Sequence, residues 1–142
     1  MDTTYYALSI KQPWAALVVA GLKTIEIRTW PTGQLGRVFI HAARIPDDCE
    51  HAWASVPNEL LPLTKLVGGL IGQAELIECI TYRDAKHFGQ DQAQHYNLPE
   101  WFQAPVMFGF RFANAKRLPF TRLKGQLRFF EFPASILDGI AS

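Results

Sequence analysis

The chain has little cysteine, little net charge and no long apolar run. Among its 142 residues are two cysteines, Cys49 and Cys79. Two thiols make no disulfide framework and cannot by themselves hold a zinc ion. The histidines at 41, 51, 87 and 95 stand at no metal-ligand spacing from either cysteine, so neither a metal nor a cofactor is expected. The longest stretch without a charged residue runs from Gln12 to Leu22, and Pro13 and Gly21 interrupt it. Such a stretch is too short to cross a bilayer, and no membrane association is expected. Met1-Asp2-Thr3-Thr4 shows no basic start followed by an apolar run. We therefore expect no secretory signal and a cytoplasmic, reducing setting. A Gly-x-Ser-x-Gly elbow is missing, as is a cysteine with a neighbouring histidine, so nucleophilic hydrolysis of those kinds has no carrier. Gly21-Leu22-Lys23-Thr24 is not a phosphate loop, because Leu22 separates glycine from lysine and the helix precedes the segment. Gly68-Gly69-Leu70-Ile71-Gly72 has no lysine and no helix after it, and reads as strand glycine or a close backbone approach.

What is present suits a folded chain: 49% apolar, 13% aromatic and 19% charged residues. One domain over 1–142 is expected, with a core over about 5–132 and a tail, 133–142, that frays. The formal net charge of +1 hides a segregation. Residues 1–44 hold five basic and two acidic side chains, net +3; 45–100 hold three and nine, net −6; 101–142 hold six and two, net +4. If the two ends meet in the fold, they make one basic face; chance segregation in a short chain is the other reading.

Tyr5 to Ile10 reads as a strand. A helix is expected from about Pro13 to Ala20, with proline in its first turn and Gly21 just past its end. Further strands are expected at Thr24–Thr29, Arg37–Ala42, Val67–Thr81, Val106–Phe112 and Gln126–Phe132. Pro46–Val56 reads as a helix, Pro57–Pro62 as loop, and Asp84–Tyr96 as a surface helix or an extended loop. Helix and strand do not alternate, which argues against a doubly wound sheet. The pattern fits an α+β, mainly β fold: a pseudobarrel of five to six mostly antiparallel strands with two to three short helices.

The segment with chemical content is Gly21 to Arg28. On a strand, alternate residues share a face about 6.5–7 Å apart, so Thr24, Glu26 and Arg28 line up while Ile25 and Ile27 turn to the core. Lys23, at the helix-to-strand turn, can swing beside Glu26. A partly enclosed Lys–Glu–Arg cluster offers a cation of lowered pKa, a carboxylate to orient it and a guanidinium fork for phosphate or a base edge. The same residues also fit an edge strand carrying solvated charges that block aggregation.

Gly21, Lys23, Glu26 and Arg28 form Gly-x-Lys-x-x-Glu-x-Arg, which resembles the signature of the ASCH domain (activating signal cointegrator homology), in the PUA-like superfamily. Four fixed positions match by chance in roughly one chain in a thousand of this length. Leu8 to Ala15 resembles the family's Gln-Pro-aromatic step from strand to helix, and Val38 to Ala43 and Lys124 to Phe130 resemble strands of the EOLA-like branch. The resemblance implies a PUA-like pseudobarrel with a cleft that takes RNA or a nucleotide, as in RNA metabolism or translation-linked regulation. It implies that Lys23, Glu26 and Arg28 line that cleft, with Trp14 as a stacking surface and Lys11, Gln12 and His41 beside them. A monomer is the favoured state. The alternative it implies is a hydrolase of a modified nucleoside, similar to N4-acetylcytidine amidohydrolases, or a ribonuclease, with Lys23 and Glu26 catalytic. The amidohydrolases carry a threonine where this chain has Glu26, and Thr24 does not match it; Glu75, Glu78 or Asp84 would have to supply their later acid. A third reading is a protein-interaction module built on the loop aromatics Trp30, Trp53, Trp101 and Phe102.

Overall fold

The computed structural model describes residues 3–137. Six strands form one curled sheet: β1 (Thr4–Ile10), β2 (Ile25–Arg28), β3 (Gly36–Ala42), β4 (Gly69–Tyr82), β5 (Met107–Arg122) and β6 (Phe129–Pro133), in the order β2-β5-β4-β3-β1-β6. All neighbours are antiparallel except β1 and β3. Five short helices decorate it: α1 (Trp14–Val19), α2 (Glu50–Ala54), α3 (Leu61–Thr64), α4 (Ala85–Gln90) and α5 (Gln92–His95). This is the mainly β, α+β pseudobarrel expected of a PUA-like chain. β1 pairs with β6, from Thr4 with Pro133 to Leu8 with Phe129, so the two basic ends of the sequence do meet.

The main core lies inside the curl, between α1 and the sheet. Ala15 to Val19 of α1 are buried against Leu8, Val38, Ile40, Ile71 and Phe110. Gly72 makes room for that helix: a Cβ there would lie 2.7 Å from Val19 and 2.5 Å from the Lys116 carbonyl. A second apolar layer, Ala7, Phe39, Leu70, Phe130 and Phe132, backs β1 and β6.

Several elements differ from the sequence reading. β5 runs on to Arg122 through Pro119, where a strand was expected to stop at Phe112. Pro119 falls where the β4–β5 register breaks, between Arg117 opposite Gly72 and Thr121 opposite Leu70, a place in a strand that tolerates proline. The helix expected over Pro46–Val56 shrinks to α2, and the loop expected over Pro57–Pro62 holds a 3₁₀ turn, Asn58–Leu60, and the start of α3. Asp84–Tyr96 is helical and not merely surface, since Phe88 and His95 are fully buried. The last strand begins at Phe129, not Gln126, because Arg128 takes a left-handed turn at φ 60. Fraying does not begin at 133: Pro133 belongs to β6, Ala134–Leu137 form a 3₁₀ turn, and the Ala134 amide donates to the Thr3 carbonyl. The rest of the expected tail, 138–142, lies outside the described residues.

Candidate functional site

The sheet does not close into a full barrel. Its edges are β2 and β6. Arg28 on β2 reaches across the gap and donates from Nη2 to the Ser9 carbonyl of β1 at 2.9 Å. Trp30, just past β2, packs edge-on against Phe110 of β5 and Phe129 of β6, at 5.1 and 5.8 Å between ring centroids. Between these bridges and the end of α1 lies a cleft of about 480 Å³.

The end of α1 aims Lys23 into it. Gly21 takes φ +79, its amide donates to the Val18 carbonyl, and the Leu22 amide donates to the Leu17 carbonyl. This is the glycine-ended Schellman closure, and it turns the chain sharply after the helix. Lys23 follows inside the turn and is 1% exposed. Its Nζ donates to the His95 carbonyl, lies 3.6 Å from Glu26 Oε1 and stands 4.8 Å over the Trp14 ring. Burial pulls its pKa down to about 8, against the opposing pull of Glu26, and the nearby Arg28 lowers it further. Glu26 Oε2 accepts from Arg28 Nε at 3.1 Å and from Nη2 at 2.9 Å. One carboxylate thus holds two cations. Of the row expected on one face of the strand, Glu26 and Arg28 join Lys23 in an ion-paired triad, buried at Lys23 and Glu26 and half-buried at Arg28, whereas Thr24 precedes the strand and Ile27, expected in the core, is half-buried and lines the cleft.

The other expected site residues divide. Trp14 stands in the cleft wall, half-buried, with Nε1 donating to Asp47 Oδ2 at 3.0 Å. Lys11 is exposed on the rim. Gln12 does not line the cleft. It is fully buried, its Nε2 donates to the carbonyls of Leu63 and Leu66, and its Oε1 accepts the Ala16 amide. The amide side chain ties α1 to α3, a structural duty that uses its hydrogen bonds. His41 lies outside the Lys23 cleft, at the floor of an adjoining groove of about 1100 Å³. Its Nε2 donates to the Leu123 carbonyl at 2.6 Å, which leaves Nδ1 to accept from Ser9 Oγ at 2.9 Å. Burial lowers its pKa, consistent with a neutral ring.

Cleft and groove share Ser9, Lys11, Ala43, Gln126 and Leu127 and form one continuous surface. Lys11, Arg44, Arg122 and Lys124 line the groove, and Arg128 stands over Trp30 at the cleft, 5.0 Å from its ring. Among the described residues none of these five has a carboxylate within ion-pair distance. Leu127, 93% exposed, caps the junction.

Sequence reasoning missed Asp47, Asn97 and Trp101 in the cleft wall. Asp47 and the 95–101 segment come from distant loops, and no local pattern marks them. The acids that a hydrolase would recruit are elsewhere. Glu78 pairs with Arg111 at 2.9 Å, Asp84 caps α4 by accepting the His87 amide, and Glu75 is exposed on β4. None of them lines the cleft. Nor are the loop aromatics spare: Trp53 donates to the Asp47 carbonyl, Trp101 packs on His51, and Phe102 packs on Phe88. Among the described residues no group of His, Cys, Asp and Glu is placed to hold a metal, and no helix is long and apolar enough to cross a membrane.

Comparison with known proteins gives a consistent picture. The chain is 33% identical over 102 residues to Activating signal cointegrator 1 of Homo sapiens, and 32% identical over 97 residues to that of Mus musculus. These matches take in 66% and 63% of this chain but only 18% and 17% of the relatives, so the chain spans under a fifth of their length. The crystal structure of ASCH from Zymomonas mobilis superposes with a TM-score of 0.66 at 15% identity, covering 96% of this chain and 93% of that one. A point mutant of the same bacterial protein gives 0.67 at 14% identity, covering 96% and 94%. The fold is therefore shared with these structures. The sequence profile of the ASCH domain matches residues 8–118, well over half of the sequence, and the chain belongs to the ASCH domain family.

Proposed function

We propose that this chain binds single-stranded RNA, seating one nucleotide in the Lys23–Glu26–Arg28 cleft and the neighbouring phosphates in the basic groove. The observation that carries this reading is the continuity of the two. A cleft of about 480 Å³ is in the range of small-ligand sites and suits a nucleoside. A closed pocket would end there, but this one opens into a groove lined by Lys11, Arg44, Arg122 and Lys124 with no acid to neutralise them among the described residues. Unpaired cations along a groove bind polyanions by releasing condensed counterions, and aromatic side chains in the wall let bases stack. The family's link to RNA agrees. Such a domain belongs in RNA metabolism or translation-linked regulation.

The hydrolase reading draws on Lys23, a buried amine with its pKa lowered to about 8 beside a carboxylate. Glu75, Glu78 and Asp84 do not reach the cleft, and Asp47, the second carboxylate in its wall, is engaged by Trp14 Nε1 and the Cys49 amide. Binding without turnover is the better fit. The test is anisotropy of a labelled single-stranded RNA against salt. Each phosphate contact contributes about 0.7 to the slope of log K against log salt. Arg122→Ala and Lys124→Ala should flatten that slope by about this amount each, whereas Lys23→Ala and Arg28→Ala should weaken binding at every salt concentration. A salt-independent affinity, or turnover of N4-acetylcytidine abolished by Lys23→Ala, would refute the reading.

A further inference from the structure

The connection from β4 to β5 makes a strained turn whose product is one fixed side chain. Tyr96 adopts φ 64, a left-handed conformation uncommon for a bulky residue. The turn is clamped around it. His95 Nε2 donates to the Phe88 carbonyl at 2.6 Å, and its Nδ1 accepts the Asn97 amide at 3.0 Å. The Tyr96 carbonyl accepts from His51 Nε2 at 3.0 Å. Asn97 Nδ2 then donates to the His95 carbonyl at 2.8 Å, the same oxygen that receives Lys23 Nζ. This orients the Asn97 amide in the cleft wall, beside Lys23.

The acceptors around it are already engaged. Glu26 Oε1 faces Lys23 and Oε2 holds Arg28; Asp47 Oδ2 holds Trp14 and Oδ1 holds the Cys49 amide. Asn97 Oδ1 has no partner among the described residues. A positioned acceptor next to a positioned ammonium donor fits a ligand edge that carries a donor beside an acceptor. Adenine and cytosine both present an exocyclic amino group beside an unprotonated ring nitrogen. Uracil has no exocyclic amino group, and its one donor on that edge is the ring N–H.

We propose that Asn97 is the specificity-determining residue of the cleft, its Oδ1 accepting a hydrogen bond from the exocyclic amino group of adenine or cytosine while Lys23 donates to the adjacent ring nitrogen. The inference rests on the reading that the cleft takes a base of single-stranded RNA. The experiment uses oligouridine pentamers with one central adenosine, one central cytidine, or their analogues without the amino group, purine riboside and pyrimidin-2-one riboside. The wild-type chain should bind the amino-bearing oligomers about five- to tenfold more tightly than the analogues, the size of one hydrogen bond. Asn97→Ala should erase that ratio, and a cooperative urea unfolding transition of the variant shows that it is folded. An Asn97→Ala protein that keeps the ratio, or a wild type that shows none, overturns the role of Asn97 and leaves RNA binding standing. Failure of the wild type to bind any of the oligomers, even at low salt, removes the cleft reading and this inference with it.

Discussion

Lys23 is kept in the fold at a cost, and replacing it with methionine should expose that cost. Burial moves its pKa from 10.5 to about 8. At about 1.36 kcal/mol per pKa unit, a protonated Lys23 is disfavoured in the native state by about 3 kcal/mol. Below pH 8 the lysine is protonated in both native and unfolded chains, so the whole penalty is carried there. Between pH 8 and 10.5 the unfolded chain keeps the proton and the native chain releases it, so native stability rises with pH through this window. Lys23→Met fills the same space without the charge. It loses the bond to the His95 carbonyl, but Asn97 still donates to that oxygen, and Glu26 still holds Arg28 at 2.9 Å. No buried charge is orphaned, and the variant should gain about 1–2 kcal/mol at pH 7. The gain should shrink steadily toward pH 10.5. The difference between variant and wild type is the quantity to follow, because Tyr82, whose pKa burial pushes up, keeps its proton in the native chain where the unfolded chain begins to lose it near pH 10.0, an effect of opposite sign. Urea unfolding followed by tryptophan fluorescence at pH 7, 8, 9 and 10 measures it, and Trp14 lies close enough to report on the site. The same variant should lose RNA binding, as expected when a residue is retained for function against stability. A Lys23→Met protein less stable than wild type at pH 7, or a gap that does not change between pH 7 and 10, would refute the argument.

Three further outcomes follow from the geometry. Gly125→Ala would place a Cβ 2.5 Å from the His41 ring, which two hydrogen bonds fix. It should destabilise the chain by about 1–3 kcal/mol, read by urea unfolding, and loosen the 123–128 loop over the groove. Arg28→Lys loses the Nε bond to Glu26 and the planar fork that fixes Nη2 between Glu26 and the Ser9 carbonyl, so the β2 edge should loosen by about 1 kcal/mol, seen as faster amide exchange in β2. His41 and His95 both have pKa values lowered by burial, so below pH 6.5 the unfolded chain takes up protons that the native chain refuses, and stability falls as pH falls. Imidazole signals followed by NMR should titrate below 6.5, and a midpoint at or above that value contradicts it.

How much of this was legible in the sequence depends on the range of the interaction. Gly21, the alternation of Glu26 and Arg28, and the apolar Ile25 are local facts, and they were enough to foresee a helix, a sharp turn and a charged row on one strand. The placing of Gln12 in the cleft came from the family resemblance, and no local pattern could test it. An exposed amide beside a cleft and a buried amide bridging three backbone groups look alike in a sequence, and only the position of Leu63 and Leu66 decides between them. The site shows this dependence most fully, because it occupies the place where the sheet fails to close. Lys23 and Glu26 are recognisable from spacing, but the carbonyl that fixes Lys23 belongs to His95, and the cations of the groove come from four separate places: Lys11 after β1, Arg44 after β3, Arg122 at the end of β5 and Lys124 in the loop before β6. The net charge of +1 conceals that arrangement until β1 and β6 pair. That pairing brings the basic ends of the chain to one side of the molecule. The acidic stretch between them contributes Asp47 to the cleft wall but no carboxylate to the groove lining, which leaves the groove positive.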